Sequence, residues 1–187
     1  MFGRRSHQMR AGALQHAGLK PGSRILDFGC GAGDLAFEAE EFTKGESAIV
    51  GIDPSPEMIK VARQKGAKKN SKVTFQVEAV EKMSFPDASF DVVTSSFVLH
   101  HLPAELQKKA FKELRRVLKS GGLFFAIDIK HSSSFASRIH EHLGGRHGSP
   151  VEDLRQAAAR LAEAGFRHVE VVEAPSGDAG FLRGIAA

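Results

Sequence analysis

The residues best suited to chemistry in this chain lie in one short stretch, residues 25–34. An acid, Asp27, is followed there by three glycines at alternate positions, Gly29, Gly31 and Gly33. Glycines spaced in this way leave little side-chain bulk over a turn, so a ligand can approach the backbone closely. The apolar residues before the turn predict a buried strand. A helix starting near Gly33 would point its free N–H groups at the same ligand. The stretch therefore predicts a turn that binds a nucleotide cofactor.

Two cofactors fit this turn at the level of sequence. Gly31, Gly33 and Ala36 match the dinucleotide pattern G-x-G-x-x-G/A, and Asp53 follows at about the distance expected for a ribose-binding acid. A dinucleotide would bring pyrophosphate beside Asp27, whose carboxylate would repel it. S-adenosylmethionine has no phosphate, and its ammonium and sulfonium groups are cationic. Asp27 therefore favours S-adenosylmethionine, and an NAD(P)-dependent oxidoreductase is kept as an alternative.

The acidic glycine turn resembles the first motif of the class I S-adenosylmethionine-dependent methyltransferases. Further similar stretches lie at 51–58, 85–93, 99–102 and 114–122. Together they resemble the small-molecule branch that contains the ubiquinone and menaquinone C-methyltransferases, and the resemblance covers residues 20–129 well. It implies an enzyme that transfers the methyl group of S-adenosyl-L-methionine to oxygen, nitrogen or carbon of a small molecule. A non-catalytic protein that binds the same cofactor is the second alternative.

The resemblance also assigns cofactor residues by position. Asp53 matches the acid that binds the ribose, and Met58 matches the residue that packs by the adenine. Glu78 stands where the family usually has Asp, in the pair with Ala79 that edges the adenine. The full set that we expect to bind the cofactor is Asp27, Gly29, Cys30, Gly31, Gly33, Asp53, Pro54, Met58, Glu78, Ala79, Val80 and Ser95.

Candidate catalytic residues follow the later strands. Methyl transfer needs an aligned acceptor, and it needs a base only where that acceptor must lose a proton. His100 and His101 follow the fourth predicted strand, and a neutral imidazole has a pKa suited to that task. Asp128 ends the fifth strand, where a carboxylate could hold a hydroxyl or amine of the substrate. Ligands of open α/β sheets bind beyond the carboxyl ends of the strands, so we predict His101, His100 and Asp128 as the catalytic candidates.

Alternating strands and helices must position these residues. Strands are expected over 24–28, 47–53, 72–77, 90–96, 123–129, 167–174 and 180–186. Helices are expected over 8–18, 33–43, 56–66, 103–118 and 150–165, with Gly121 and Gly122 stopping the fourth. The alternation predicts an α/β fold with a doubly wound, mostly parallel seven-stranded sheet, helices on both faces and a C-terminal antiparallel strand. The last two strands must run antiparallel because their connection is too short for a parallel crossover.

Length and composition indicate one domain in a reducing compartment. The chain has 187 residues, of which 42% are hydrophobic, which suffices for a sizeable core. We expect a single domain over 1–187, with an N-terminal helical segment at 1–19 and a substrate flap at 130–149. Cys30 is the single cysteine, so no intramolecular disulfide is available. With no signal peptide and no apolar run long enough for a membrane span, we expect a cytoplasmic protein without stable membrane insertion.

The charge pattern predicts a small-molecule substrate and no nucleic-acid partner. The net charge is only +4, and the basic residues that gather near the N-terminus and across 130–147 are interpreted as solvated segments and not as one basic face. His140, His142 and His147 lack the accompanying cysteines or carboxylates of a metal site, so no metal is expected. The N-terminal segment is short and lacks the aromatic that often closes over the cofactor in the family. A second chain could complete the pocket, as a homodimer.

Overall fold

Seven strands and four helices make up the described part of the computed structural model, which covers residues 14–15, 17–129, 154–173 and 179–187. The strands are β1 (Arg24–Phe28), β2 (Ala48–Asp53), β3 (Thr74–Val77), β4 (Phe90–Ser96), β5 (Leu118–Ile129), β6 (Phe166–Glu173) and β7 (Ala179–Ala186). The helices are α1 (Asp34–Phe42), α2 (Pro56–Lys69), α3 (Ala104–Val117) and α4 (Leu154–Glu163), and a single 3₁₀ turn covers Leu99–His101. Most of the helix expected over 8–18 and the whole flap expected over 130–149 lie outside the described residues.

The strands form one sheet in the order β3-β2-β1-β4-β5-β7-β6. The first five strands pair in parallel, while β7 is inserted between β5 and β6 and runs antiparallel to both. The strand order reverses between β1 and β4, which is the point where doubly wound sheets open a crevice for ligands. The predicted fold class is confirmed, including its C-terminal antiparallel strand.

Successive side chains of the strands pack alternately into two apolar clusters on opposite faces of the sheet. Ile25 of β1 belongs to the cluster that Leu35 and Ile59 join from α1 and α2. Leu26, the next residue, belongs to the cluster that Phe111 and Leu161 join from α3 and α4. The alternation follows from the two-residue period of a strand. Because both faces are covered, the carboxyl ends of the strands are the place where a ligand can reach the sheet.

Helix α2 runs past its predicted end. It continues through Gly66 to Lys69, and Asn70 caps it in the left-handed conformation, with φ +52°. Gly66 is buried, and a Cβ there would lie 3.7 Å from the ring of Phe37 and 3.8 Å from the ring of Phe75. The glycine is therefore a buried position inside the helix and not its end.

The prediction that Gly121 and Gly122 stop the fourth helix is wrong. Helix α3 ends at Val117, and Leu118 is already extended, with ψ +138°. Leu118 pairs with Phe90, and the pairing then shifts register before Leu123 pairs with Val92. The two glycines lie within that irregularity of β5, so they serve a change of strand register. Strand β3 begins at 74 and not at 72, and the Lys72 amide before it donates to Glu40 Oε1.

Candidate functional site

Asp53 ties the glycine turn to the end of β2. Its Oδ2 accepts the Gly31 N–H at 2.9 Å, and its Oδ1 accepts the Ser55 N–H at 2.9 Å. Ser55 in turn caps α2, since its hydroxyl accepts the Met58 N–H at 3.2 Å. A carboxylate has about four lone-pair sites, so Asp53 can hold the turn and still accept hydrogen bonds from a ligand.

The three glycines of the turn are needed for two different reasons, packing inside the protein and space for a ligand. A Cβ on Gly29 would lie 2.4 Å from Val98 Cγ2, and one on Gly33 would lie 2.7 Å from the Phe75 ring. Gly31 also has positive φ, at +51°, but a Cβ there would meet open space. Gly29 and Gly33 are therefore required by the protein's own packing, whereas Gly31 leaves room for a ligand.

Negative charge is concentrated at this turn. Asp27, at the carboxyl side of β1, is 1% exposed, and its Oδ1 accepts the Thr94 hydroxyl at 3.1 Å. Burial raises the pKa of the neighbouring Cys30 thiol, and the charges of Asp27 and then Asp53 raise that pKa further. The field that opposes a thiolate here would also oppose a pyrophosphate and favour a cation. Cys30 is thus a buried, protonated side chain and not a nucleophile.

The residues expected beside the adenine have unequal surroundings. Pro54 is exposed and Met58 is 46% exposed, so both are accessible to a ligand. Val80 is 8% exposed, and its side chain packs in the core cluster under β1. Ala79 is half-buried, and its carbonyl accepts the Lys82 N–H in a turn.

Glu78 is held by a neighbour that the sequence did not point to. Its Oε2 accepts the Ser84 N–H at 3.3 Å, and its Oε1 accepts the Ser84 hydroxyl. Its own N–H donates to the Asp53 carbonyl at 3.2 Å, which joins the chain after β3 to the end of β2. The extra methylene of Glu over Asp therefore lets the carboxylate brace the following loop.

The end of β4 bends back over the glycine turn. Ser95 is 1% exposed, and its hydroxyl donates to the Phe28 carbonyl at 3.1 Å, which joins β4 to β1. Phe97 has φ +58°, a left-handed conformation that is uncommon for a bulky residue and often marks a functional site. This bend brings Val98 against Gly29. Phe is a strand-forming residue, so the sequence carries no signal for the bend.

His100 and Asp128 form a buried pair beside this bend. His100 Nδ1 lies 2.5 Å from Asp128 Oδ1, and the two side chains are 6% and 2% exposed. Asp128 Oδ2 also accepts the Leu99 N–H at 2.6 Å. A carboxylate only accepts, so Nδ1 donates to Asp128, and Nε2 lies on the other side of the ring. His101 is exposed, and its ring centroid lies 3.8 Å from that of His100.

Gln107 is a residue of the site that sequence reasoning missed. It is fully buried on α3, and its Nε2 donates to the carbonyls of Leu99 at 3.0 Å and Leu102 at 3.1 Å. Its Oε1 accepts from Arg160 of α4 at 3.0 Å. A polar residue in the apolar stripe of a helix is the signal that could have identified it. Gln107 and Asp128 together hold the 3₁₀ turn that carries the histidines.

The sheet is open and doubly wound, and an acidic glycine turn lies beside the point where the strand order reverses. These two features are typical of proteins that bind a nucleotide-like cofactor, and the acids favour one that carries positive charge. Residues 25–122 match the model of a protein family whose description is "Methyltransferase domain". The chain belongs to this family, and the predicted membership of the class I S-adenosylmethionine-dependent methyltransferases is confirmed.

Individual relatives agree with this family. The chain is similar to a ubiquinone/menaquinone biosynthesis C-methyltransferase, UbiE, of Geobacter sp. strain M21, with 37% identity over 63% of this chain and 50% of that protein. It is also similar to an arsenite methyltransferase of Halobacterium salinarum, with 32% identity over 83% of this chain and 40% of that protein. Among solved structures, a SAM-dependent methyltransferase from Aquifex aeolicus superposes with a TM-score of 0.79 at 26% identity, covering 95% of this chain and 89% of that one. The chain spans about half the length, or less, of these two curated relatives.

Over the described ranges, none of the helices is long and apolar enough to cross a membrane. Those ranges also contain no group of three His, Cys, Asp or Glu side chains arranged to hold a metal ion. His140, His142 and His147 lie outside them.

Proposed function

We propose that this chain is an S-adenosylmethionine-dependent methyltransferase that transfers a methyl group to oxygen, nitrogen or carbon of a small molecule. The observation that carries the proposal is the charge of the glycine turn. Asp27 is the penultimate residue of β1, Asp53 is the last residue of the adjacent parallel strand β2, and the open space at Gly31 lies in the turn after β1. Two carboxylates suit ribose hydroxyls and a cationic ligand, and they oppose the pyrophosphate that an NAD(P)-dependent oxidoreductase would bind.

Different described residues would bind the cofactor, accept a proton and orient the reacting groups. The cofactor, when bound, supplies an electrophilic methyl group on a sulfonium. Asp53 accepts hydrogen bonds from the ribose, and the carboxylate field of Asp27 favours the cationic end. Orientation and exclusion of water then account for most of the rate. His100 accepts a proton at Nε2 from acceptors that must lose one, while Asp128 orients the ring through Nδ1. His101, exposed beside it, lines the acceptor side.

The acceptor is a carbon, oxygen or nitrogen nucleophile. The named substrates of the two relatives differ: one belongs to quinone biosynthesis and the other is arsenite. Trivalent arsenic is a soft centre that thiolates hold. This chain has one cysteine, Cys30, which is buried and whose pKa is raised. A quinol-like ring or another small acceptor is therefore the better substrate class.

Further parts of the proposal concern the whole chain. Residues 1–187 form one catalytic domain, with 130–149 as a substrate flap. The protein works in the cytoplasm without stable membrane insertion or a nucleic-acid partner, and a second copy can complete the pocket in a homodimer. Cell fractionation and sedimentation velocity with and without cofactor test these parts. A membrane-bound pool, or a strictly monomeric protein that is fully active, would contradict them.

The deciding experiment is a calorimetric titration with S-adenosylmethionine and, separately, with nicotinamide cofactors. Asp53→Ala should cost roughly 2–4 kcal/mol of binding free energy, because charged hydrogen bonds to the ribose are lost along with the tie to Gly31. Asp91→Ala is the matched control. The Asp91 carboxylate also accepts a backbone N–H, from Arg24 at 2.8 Å, but at the opposite end of the sheet. Binding of a nicotinamide cofactor and not S-adenosylmethionine by the wild type would refute the proposal.

The role of His100 is tested by His100→Gln once an acceptor turns over. Loss of general-base catalysis should lower kcat by about a hundredfold for an acceptor that must lose a proton. Cofactor affinity measured by calorimetry should stay unchanged. A His100→Gln variant with wild-type kcat over the whole pH range would remove the histidine from the mechanism and leave the cofactor assignment intact.

A further inference from the structure

The connection between β3 and β4, residues 78–89, joins two parallel strands without a helix. We call it the rim segment, because it starts at the carboxyl end of β3, next to Asp53. A connection without a helix lacks the regular hydrogen bonds that satisfy backbone groups, so these groups need other partners. Side chains and carbonyls at the end of α3 provide them.

The Arg116 side chain of α3 holds two of these backbone carbonyls and two carboxylates. Its Nη1 donates to the Phe85 carbonyl at 2.7 Å and to Asp87 Oδ1 at 2.8 Å. Its Nη2 donates to the Met83 carbonyl at 3.1 Å and to Glu113 Oε2 at 2.8 Å, and its Nε donates to Glu113 Oε1 at 2.9 Å. All five N–H donors of the guanidinium are therefore engaged.

Glu113 completes this clamp from the other side. Its Oε2 also accepts the Met83 N–H at 3.1 Å, so both backbone polar groups of Met83 are held. The guanidinium of Arg116 holds the pKa of the Glu113 carboxyl below its usual range. The Ala88 and Ser89 amides donate to the carbonyls at the end of α3, at 2.9 Å and 2.7 Å. The rim segment is thus fastened along its second half.

Ser84 links this clamp to the cofactor side. It lies between Met83 and Phe85, whose carbonyls Arg116 holds, and it donates twice to the Glu78 carboxylate. The Glu78 amide in turn donates to the Asp53 carbonyl. Arg116 is therefore connected to the strand end that carries Asp53 by its hydrogen bonds to Met83 and Phe85, by the peptide links from those residues to Ser84, and by the hydrogen bonds of Ser84 and Glu78.

We propose that Arg116 is a positioning residue for the adenosyl half of the cofactor: it fixes Ser84, and Ser84 fixes the Glu78 carboxylate at the adenine edge. This inference rests on the proposed function, since it concerns the same cofactor. Arg116 touches no cofactor itself. The planar guanidinium can reach two carbonyls and two carboxylates at once, which a lysine ammonium cannot do. The Glu78 carboxylate oxygens keep lone pairs that Ser84 does not use, and in this proposal they accept a hydrogen bond from the 6-amino group of adenine.

The test is Arg116→Lys, with Arg115→Lys as the matched control on the same helix, because Arg115 makes none of the five bonds described above. Calorimetry compares S-adenosylhomocysteine with S-inosylhomocysteine, in which an oxo group replaces the 6-amino donor. Arg116→Lys should weaken the binding of S-adenosylhomocysteine by about tenfold. It should also reduce the ratio of the affinity for S-adenosylhomocysteine to the affinity for S-inosylhomocysteine. Arg115→Lys should change neither quantity by more than about twofold.

A second variant guards against a folding defect. Ser84→Ala leaves the clamp intact but removes the hydroxyl that holds Glu78, so it should reduce the adenosyl preference without unfolding the protein. An unchanged preference in both variants, even with weaker binding of both ligands, would show that the clamp is only structural and would overturn the inference. Failure of the wild type to bind both S-adenosylhomocysteine and S-adenosylmethionine would instead overturn the proposed function.

Discussion

At the scale of single residues, the glycine turn shows how one residue type meets separate requirements. Gly29 and Gly33 carry no side chain because Val98 and Phe75 occupy the space where a Cβ would lie. Gly31 faces open space, with its amide held by Asp53. The same spacing thus combines two packing contacts with one opening for a ligand.

Gly29→Ala and Gly31→Ala should separate these requirements. Both positions have positive φ, so each alanine should cost about 1–2 kcal/mol of unfolding free energy through backbone strain. Gly29→Ala should cost about 1–3 kcal/mol more, because its Cβ overlaps the stiff, β-branched Val98. Urea denaturation measures the difference, and calorimetry should show that Gly31→Ala, although folded, binds S-adenosylmethionine less tightly than wild type. Equal stability of the two variants would contradict the assigned role of Val98.

At the scale of elements, the 3₁₀ turn at Leu99–His101 is too short to hold its own position. Asp128 holds its first amide, and Gln107 holds the carbonyls of Leu99 and Leu102. Gln107 also receives Arg160 from α4, so a C-terminal helix stabilises the turn that carries His100. The rim segment is held in the same manner by Arg116. Short connections at this site are therefore fixed by polar side chains of the neighbouring helices and of β5.

Gln107→Leu should destabilise the protein by about 2–4 kcal/mol, because buried carbonyls and a guanidinium lose their partner. Leucine fits the volume, so the loss measures hydrogen bonding more than packing. Gln64→Leu on the exposed surface of α2 is the control and should stay within about 0.5 kcal/mol of wild type. Guanidinium denaturation of both variants measures the difference. Equal midpoints for the two variants would show that the turn does not depend on Gln107.

At the scale of the whole molecule, the sheet has a protected centre and two unlike edges. β1 and β4 lie in the middle with a neighbour on each side and clusters on both faces. β3, at one edge, has four residues and a single neighbour, β2. The cofactor turn and the bend at Phe97 therefore stand on the best-supported strands. The proposed adenine site lies at the edge strand β3, which the rim segment supports.

Native-state hydrogen exchange should show that the central strands are more protected than the edge strand β3. Backbone amides of β1 and β4 should exchange only through global unfolding, because no smaller opening exposes them. Amides of β3 should exchange faster, through local opening of the edge. Addition of S-adenosylmethionine should slow exchange in β3 and the rim segment more than in β1. Protection of β3 equal to that of β1 without ligand would contradict the proposed difference between edge and centre.

The sequence by itself determined the order of elements, the parallel sheet with its antiparallel end, the family and the location of the glycine turn. Each of these depends on local information: apolar period, glycine spacing and the acids that follow the strands. Only the tertiary structure paired His100 with Asp128, which are 28 residues apart, and Glu78 with Ser84. It alone revealed Gln107, the bend at Phe97 and the glycines inside β5. Such contacts are set by strand register and helix packing, which bring distant side chains within hydrogen-bonding distance, and no local pattern encodes those distances.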